Sequence, residues 1–354
     1  MTLRLALVAD DLTGALDSSV GFARHGLRTR VALTPGAIAA ALAEAPEVLA
    51  VNTASRALAP AAAAQIVHDA ALTLGGWAPT VLFKKVDSRL KGNVGAETKA
   101  MAAAFGAARV IVAPAVPAQG RFTRDGAVVG RGVAEALPVA PLFAGLDRPV
   151  EIIDAASEAA LDAVVAQPAE GTLFVGAAGL GAALARRLGG APRDEIFAAE
   201  DATLFALGTR DPITLDQIAA LRAARPDLDV IELPGGAGGR VPGRLPALLA
   251  VTGPEFADPA AVAARFGAAV AEAVKRTSPK RLVLGGGDTA LAVLDRLGTQ
   301  VVEPVAEPQP GLVAARIAGG PAGMLCLVKS GGFGTIDILA GLVESRPVAA
   351  TAHA

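Results

Sequence analysis

Leu3-Arg4-Leu5-Ala6-Leu7-Val8-Ala9-Asp10-Asp11-Leu12-Thr13-Gly14 is the stretch on which the fold turns. An apolar run breaks off at two adjacent aspartates and a short polar loop follows. A segment of helical length then continues to Gly26, a residue suited to a C-terminal stop. Buried strand, polar loop and helix, in that order, form the repeating unit of an α/β fold. The alternation recurs, with further candidate strands at 30–33, 48–52, 80–86, 109–113 and 172–176, and a second series at 204–207, 281–284 and 324–328. Between the two series Gly189-Gly190-Ala191-Pro192 ends the helical segment 182–188 and a charged stretch takes over. The pattern predicts an α/β protein of two domains, 1–195 and 196–354, each a largely parallel sheet flanked by helices.

Composition agrees with that reading and removes several others. A chain of 354 residues is longer than one core usually serves, at roughly 100–200 residues per domain. Apolar residues make up 53% and charged residues 19%, far from the signature of disorder. Aromatics are only 3%, with no Tyr and the single Trp77, so the core is built from Ala, Val and Leu. A net charge of −2 asks for no nucleic-acid partner, and no basic run alternates with aromatics. Cys326 stands alone and His25, His68 and His353 are scattered, which excludes an intramolecular disulfide and a Cys- or His-based zinc site. The start lacks the form of a signal peptide, and the uncharged stretches are too short and glycine-rich for a membrane span, so a cytoplasmic protein is expected. The Ala-rich helices could supply the face of a homo-oligomer.

In open α/β sheets ligands collect at the carboxyl ends of the strands, so the loops there are the ones to read. Asp10 and Asp11 occupy the first. One could hydrogen-bond a substrate hydroxyl and either could act as a base, while the plain alternative is that one caps the helix and the other is solvated. Asn52-Thr53-Ala54-Ser55-Arg56 carries a guanidinium just beyond a strand, with the planar fork that suits carboxylate or phosphate. Lys84-Lys85-Val86-Asp87-Ser88-Arg89-Leu90-Lys91-Gly92-Asn93-Val94-Gly95-Ala96-Glu97 packs four cations and two acids into one strand–loop–helix turn. That density, with Gly92, Asn93 and Gly95 suited to unusual backbone angles, points to an anionic ligand. Pro114-Ala115-Val116-Pro117-Ala118-Gln119-Gly120-Arg121 is either a fourth such loop or a rigid connector.

The second half has three glycine-marked loops. Gly208-Thr209-Arg210-Asp211-Pro212 opens a helix with Asp211 as N-cap. Gly285-Gly286-Gly287-Asp288-Thr289 leads into the helical segment 290–297. Lys329-Ser330-Gly331-Gly332-Phe333-Gly334 leads to Thr335 and a further expected helix. Such turns expose backbone N–H groups and a positive dipole end, as a polyphosphate requires. The stretch 234–244 reads as a surface loop. No P-loop and no complete Gly-x-Gly-x-x-Gly occurs, which counts against a nicotinamide-dependent oxidoreductase.

Taken together, these loops resemble the four-carbon acid sugar kinase family, the ATP-dependent kinases of threonate, erythronate and 3-oxo-tetronates. The resemblance is collinear from residue 5 to about 340. It rests on Ala9-Asp10-Asp11-Leu12-Thr13-Gly14-Ala15, on Lys85-Val86-Asp87-Ser88 with Lys91-Gly92-Asn93-Val94-Gly95-Ala96-Glu97, and on Pro117-Ala118-Gln119-Gly120-Arg121. It continues through Gly286-Gly287-Asp288-Thr289 and Lys329-Ser330-Gly331-Gly332-Phe333-Gly334. It implies a sugar-acid domain followed by a nucleotide domain, with the active site in an interdomain cleft and a hydroxyl of the sugar acid phosphorylated by ATP with Mg2+. On that basis Asp10 and Asp11 contact the sugar acid, one of them orienting or deprotonating the attacking hydroxyl. Arg56, Lys85, Val86, Asp87 and Ser88 hold the substrate through its carboxylate. Thr209, Gly286, Gly287, Asp288, Thr289, Lys329, Gly331, Gly332 and Gly334 cradle the nucleotide. The rival from another class is a catalytically silent sugar-acid sensor, although nothing in the loops is visibly disabled.

Overall fold

The structure, a computed structural model, describes residues 2–193, 197–253, 258–318 and 324–343. The chain divides into two compact units, Met1–Arg193 and Asp194–Ala354. The boundary expected at 195/196 lies outside the described residues.

The first unit contains strands β1 (Leu5–Ala9), β2 (Thr29–Ala32), β3 (Val48–Asn52), β4 (Val81–Lys85), β5 (Arg109–Ala113), β6 (Arg121–Arg124), β7 (Ala127–Gly130), β8 (Leu137–Pro138), β9 (Val150–Ile152) and β10 (Thr172–Gly176). Its helices are α1 (Leu12–Arg24), α2 (Ile38–Ala43), α3 (Pro60–Gly75), α4 (Val94–Ala104), α5 (Glu158–Val165) and α6 (Ala178–Leu188). Seven strands pair in the order β2-β3-β1-β4-β10-β5-β9, all parallel. β1, β3, β4 and β10 are buried along their whole length. Burial on both faces is why they read as continuous apolar runs rather than as alternating ones. The few aromatics go to the centre, where Phe22, Phe83 and Phe174 are fully buried, and Ala and Gly fill the helix–sheet contacts around them.

The second unit contains β11 (Thr203–Leu207), β12 (Asp229–Pro234), β13 (Ala247–Thr252), β14 (Arg281–Gly285), β15 (Val301–Gln309), β16 (Leu312–Ala318) and β17 (Leu325–Lys329), with helices α7 (Pro212–Ala224), α8 (Pro259–Thr277) and α9 (Gly287–Arg296). Its strands run β12-β13-β11-β14-β17 in parallel, and β16 then pairs antiparallel with both β17 and β15. Phe205, Leu207, Leu221, Leu248, Val283 and Leu327 form the heart of its core.

Three features differ from the sequence expectation. Strands β6, β7 and β8 form a separate antiparallel sheet that no alternation announced, because its strands are two to four residues long and carry Arg121, Arg124 and Pro138. The β15–β16 pair was hidden by Pro304 and Pro308, which ordinarily argue against a strand, and the ladder shifts register between Pro304 and Ala306. Among the described residues after Thr335 there is a short 3-10 turn, Ala340–Leu342, and no α-helix such as was expected. Ile338, Leu339, Ala340, Leu342 and Val343 are all buried, so that segment enters the core on every side instead of presenting one helical stripe.

One contact in the first unit leaves no room for adjustment. A Cβ on Gly95, in the first turn of α4, would collide with the Leu142 carbonyl oxygen, and a backbone atom cannot swing aside as a side chain can. Gly95→Ala is expected to cost about 2–3 kcal/mol, as overpacking of a tight contact does. Urea denaturation would read this directly, and a wild-type midpoint would show that the 140–143 turn moves away freely.

Candidate active site

Strand order places the functional loops. In the first unit the chain goes from β1 to β3 on one side and to β4 on the other, so the succession of strands reverses between β1 and β4. That is the topological switch point at which open α/β sheets bind ligands. Asp10 and Asp11 leave β1 there, Arg56 follows β3, and residues 86–93 follow β4.

Arg56 joins both aspartates. Its Nε donates to Asp10 Oδ2 at 2.8 Å and its Nη2 to Asp10 Oδ1 at 2.9 Å, while Nη1 donates to Asp11 Oδ2 at 2.7 Å. Asp11 also caps α1, its Oδ1 accepting from the Gly14 N–H at 2.8 Å and its Oδ2 from the Thr13 hydroxyl at 2.7 Å. The expected capping role is therefore filled by Asp11, but Asp10 is not solvated: it is 3% exposed. Burial pushes the Asp10 carboxyl up, yet the Arg56 hydrogen bonds, helped by Lys84 and Lys85, outweigh it and hold Asp10 below the usual carboxylate range. Arg56 is raised in turn: burial opposes its charge, but the bond to Asp10 and the charge of Asp11 prevail. Arg56, expected to hold the substrate carboxylate, already pairs with two acids.

A second ion pair lies beneath the first. Lys84 and Glu97 meet at 2.8 Å with 0% and 1% of their side chains exposed. Lys84 Nζ also donates to the Lys85 carbonyl at 2.9 Å. Glu97 accepts from the Ser55 hydroxyl at 2.7 Å, and Ser55 contacts the Thr53 hydroxyl at 2.7 Å. Asn93 Nδ2 donates to the Leu58 carbonyl at 2.9 Å. These bonds fasten the loop that carries Arg56 to β4 and α4. Gly92 completes the approach: it has φ +85, and a Cβ there would come within 2.9 Å of Asp10 Oδ2.

Lys85 is 4% exposed, and its ammonium lies over the first turn of α1, where a Cβ on Gly14 would be 2.8 Å from Nζ. Its nearest carboxylate is Asp17, at 3.9 Å. Burial, with the nearby Asp11 charge, outweighs Lys85 and pushes the Asp17 carboxyl up to about 6. Val86 is an apolar core residue whose N–H donates to the Gly176 carbonyl at 2.9 Å. Asp87 turns its Oδ1 back to the Arg89 N–H at 2.8 Å. The Ser88 hydroxyl accepts from Arg121 Nη1 at 2.5 Å, which brings the 114–121 stretch to this loop.

The second unit repeats the logic. From β11 the chain goes to β13 on one side and β14 on the other, and the loops after the neighbours β11, β14 and β17 carry the expected nucleotide residues. Asp211 caps α7, Oδ1 accepting from the Ile213 N–H at 3.0 Å, and its N–H donates to Thr209 Oγ1 at 3.3 Å. Gly286 has φ +95 at the start of α9, followed by Gly287 as its first residue, exposed Asp288 and buried Thr289. A Cβ on Gly331 would stand 3.1 Å from Thr209 Oγ1, and one on Gly332 would stand 3.3 Å from Asp211 Oδ2, so these loops close to backbone distance. Gln217 clamps the third loop from α7, donating to the Phe333, Gly334 and Thr335 carbonyls at 3.0, 3.3 and 3.0 Å. Lys329, expected in the nucleotide cradle, is buried and its ammonium is held by its own loop and α7. Its ammonium donates to Thr214 Oγ1, the Ser330 carbonyl and the Gly331 carbonyl at 2.9, 3.0 and 2.9 Å, because a buried ammonium must satisfy its three N–H groups. Burial, partly offset by Asp211, lowers it to about 8.

Convergent glycines at two helix N-termini above a buried cation suit a nucleotide's phosphates. Among the described residues no group of three or more His, Cys, Asp or Glu side chains could hold a metal. A single carboxylate is compatible with magnesium, which commonly uses one or two together with substrate phosphates, and among the described residues Asp211 Oδ2 has no hydrogen bond.

A family model described as a sugar-binding N-terminal domain matches residues 5–141, and one described as a nucleotide-binding C-terminal domain matches 244–339. A D-threonate kinase of Bordetella bronchiseptica is 32% identical over 95% of this chain and 95% of its own. A 3-oxo-tetronate kinase of Methylobacterium radiotolerans is 32% identical over 95% of this chain and 98% of its own. The chain belongs to the four-carbon acid sugar kinase family. A solved Haemophilus influenzae protein of the DUF1537 family matches with a TM-score of 0.69 at 18% identity, covering 95% of this chain and 98% of its own, a likeness of fold.

Sequence reasoning missed Asp17, Glu97 and Gln217 as members of these polar networks. Glu97 stands in a quoted motif and Asp17 two residues beyond another, but nothing in spacing shows which acids join the network. Gln217 lies mid-helix with no motif around it. The raised Asp17 carboxyl has a definite consequence for stability. Its folded pKa of about 6 lies above the ordinary value near 4, so its contribution is full below pH 4 and is lost as pH rises through 6. Asp17→Asn removes that loss. It is expected to raise stability by about 1–2 kcal/mol at pH 7.5 and by little at pH 4. Denaturant unfolding at both pH values tests this, and equal effects would mean that Asp17 is not raised.

Proposed function

We propose that this member of the family transfers the terminal phosphoryl group of ATP to a hydroxyl of threonate, erythronate or a 3-oxo-tetronate, in the cytoplasm. The observation that carries the reading is the Asp10–Arg56–Asp11 cluster at the switch point of the first unit, with Lys85 beside it. Both aspartates are tied to Arg56, whose hydrogen bonds hold the Asp10 carboxyl below the usual carboxylate range. They serve as fixed acceptors that orient the attacking hydroxyl. A strong base is not required, because phosphoryl transfer depends mainly on positioning and neutralised charge. Lys85, buried over the first turn of α1 with Asp17 at 3.9 Å, offsets part of the aspartates' negative charge.

The loops at Thr209, Gly286–Thr289 and Gly331–Gly334 would hold the nucleotide through backbone N–H groups and the N-termini of α7 and α9. Lys329 shapes the third loop from below and adds its charge. Asp211, with the ATP phosphates, would hold magnesium, which when bound neutralises phosphate charge.

ADP release with Mg-ATP, measured against both enantiomers of threonate and erythronate and against their 3-oxo relatives, tests the reading. Turnover on one member is expected. ATP binding without turnover on any of them would favour a silent sensor, and no ATP binding would overturn the nucleotide loops. Lys329→Met should weaken ATP binding about tenfold or more, the scale of a lost charged partner, and leave sugar-acid binding unchanged. In the wild type, ATP affinity should fall as pH rises through about 8, where Lys329 loses its proton. Calorimetric titration of ATP at pH 7 and 9 checks both.

A further inference from the structure

Charge divides unevenly over the first unit's loops. Around the β1 loop the cations are taken: Arg56 by Asp10 and Asp11, Lys84 by Glu97, with Asp17 the nearest carboxylate to Lys85. An anion gains little there, since four carboxylates face three cations. The next loops are the reverse. Arg89, Lys91, Arg121 and Arg131 lie on them, and among the described residues none of the four has a carboxylate within 4.0 Å. Asp87, the acid of that loop, is bonded to backbone N–H groups of Arg89 and Lys91 at 2.8 and 3.4 Å.

Arg121 is the member of this group with a fixed pose. It starts β6 and is half-buried. Its Nη1 donates to Ser88 Oγ at 2.5 Å and to Gln119 Oε1 at 2.9 Å, and its Nε donates to the Arg131 carbonyl at 3.0 Å. All three acceptors are neutral, and Nη2 has no partner among the described residues. Burial, with Arg89 and Arg131 nearby, works against its charge, while Asp87 favours it. Ser88, which Arg121 holds, lies in the same loop as Gly92, where a Cβ would stand 2.9 Å from Asp10 Oδ2 and 3.3 Å from Arg56 Cγ, so the two arginines border one loop. A guanidinium oriented by neutral groups, crowded by like charges and open along one edge is arranged to receive an anion.

We infer that Arg121, oriented by Ser88 and Gln119, binds the carboxylate of the sugar acid, with Arg89 and Arg131 adding charge, so that the hydroxyl end faces Asp10 and Asp11. This rests on the kinase reading and deepens it. Arg121 is then the residue that makes the enzyme select an acid over a neutral four-carbon polyol, while Arg56 organises the aspartates.

The test compares wild type, Arg121→Gln and Arg121→Lys with the preferred sugar acid and with the polyol of the same configuration. Direct calorimetric titration of the sugar acid without nucleotide accompanies the kinetics. Arg121→Gln should raise KM and Kd for the acid about 10- to 100-fold, as loss of a charge-assisted hydrogen bond does, with a smaller change in kcat. The polyol's kcat/KM and the KM for ATP should stay within twofold, and Arg121→Lys should recover part of the acid's affinity. An unchanged Kd for the acid, or equal losses for acid and polyol, would overturn the inference. Wild type that binds the acid without phosphorylating it would overturn the kinase reading, and the Kd comparison would still decide the role of Arg121. If Arg121→Gln fails to fold, the exposed pair Arg89→Gln/Arg131→Gln decides instead. A severalfold higher Kd at low salt that converges with wild type at high salt supports the subsite, and an unchanged Kd overturns it.

Discussion

A fully buried ammonium persists only with a charged partner and satisfied hydrogen bonds, and the site in the first unit is organised around that constraint. Lys84 stands near the end of β4 and Glu97 in the first turn of α4, so their contact at 2.8 Å determines how that helix meets the sheet. Glu97 then reaches Ser55, and through that hydroxyl the loop bearing Arg56 is held in place. Arg56 fixes both aspartates. Three segments distant in sequence are thereby bound into one polar assembly whose parts do not adjust independently. A buried pair of this kind contributes little net stability compared with apolar residues of equal size, so its value here is positional.

Each unit answers a different electrostatic demand with the same strand logic. Both sheets bring their functional loops to a point where the succession of strands reverses, β1/β4 in the first and β11/β14 in the second. The first lines that point with side-chain charge, which can orient a small polar acid by its hydroxyls. The second lines it with glycines and helix N-termini over a buried lysine, which suits a chain of phosphates better than discrete side chains do. A depression of about 750 Å3 lined by Leu72, Phe105 and Glu170 lies at the amino ends of β4, β5 and β10, away from these loops.

Much of this was legible before any coordinates. Strands at 48–52, 109–113 and 172–176 were readable to the residue, because strands buried on both faces are plain apolar runs. The loops that hold Asp10, Arg56, Lys85 and Gly286 were equally plain, since each follows such a run and interrupts it with charge or glycine. The short sheet at 121–138 was not, because strands of two to four residues bearing arginine and proline have no period to detect. Nor was the end of the 329–343 segment, where burial on all sides leaves no helical stripe.

The sequence by itself determined the α/β class, the succession of loops and the residue types gathered in them, because these depend on local alternation and on chemistry carried by neighbours in the chain. The pairing of charges was decided only by the tertiary structure. Arg56 reads as a free guanidinium until Asp10 and Asp11, more than forty positions away, are brought to it. Lys329 reads as a member of a nucleotide loop, and only the fold shows its ammonium buried and bonded into that loop. Arg121 reads as part of either a ligand loop or a connector, and only the fold shows Ser88 and Gln119 orienting it. Which charge is spent and which stays open depends on distances across the sheet, and no spacing along the chain encodes those.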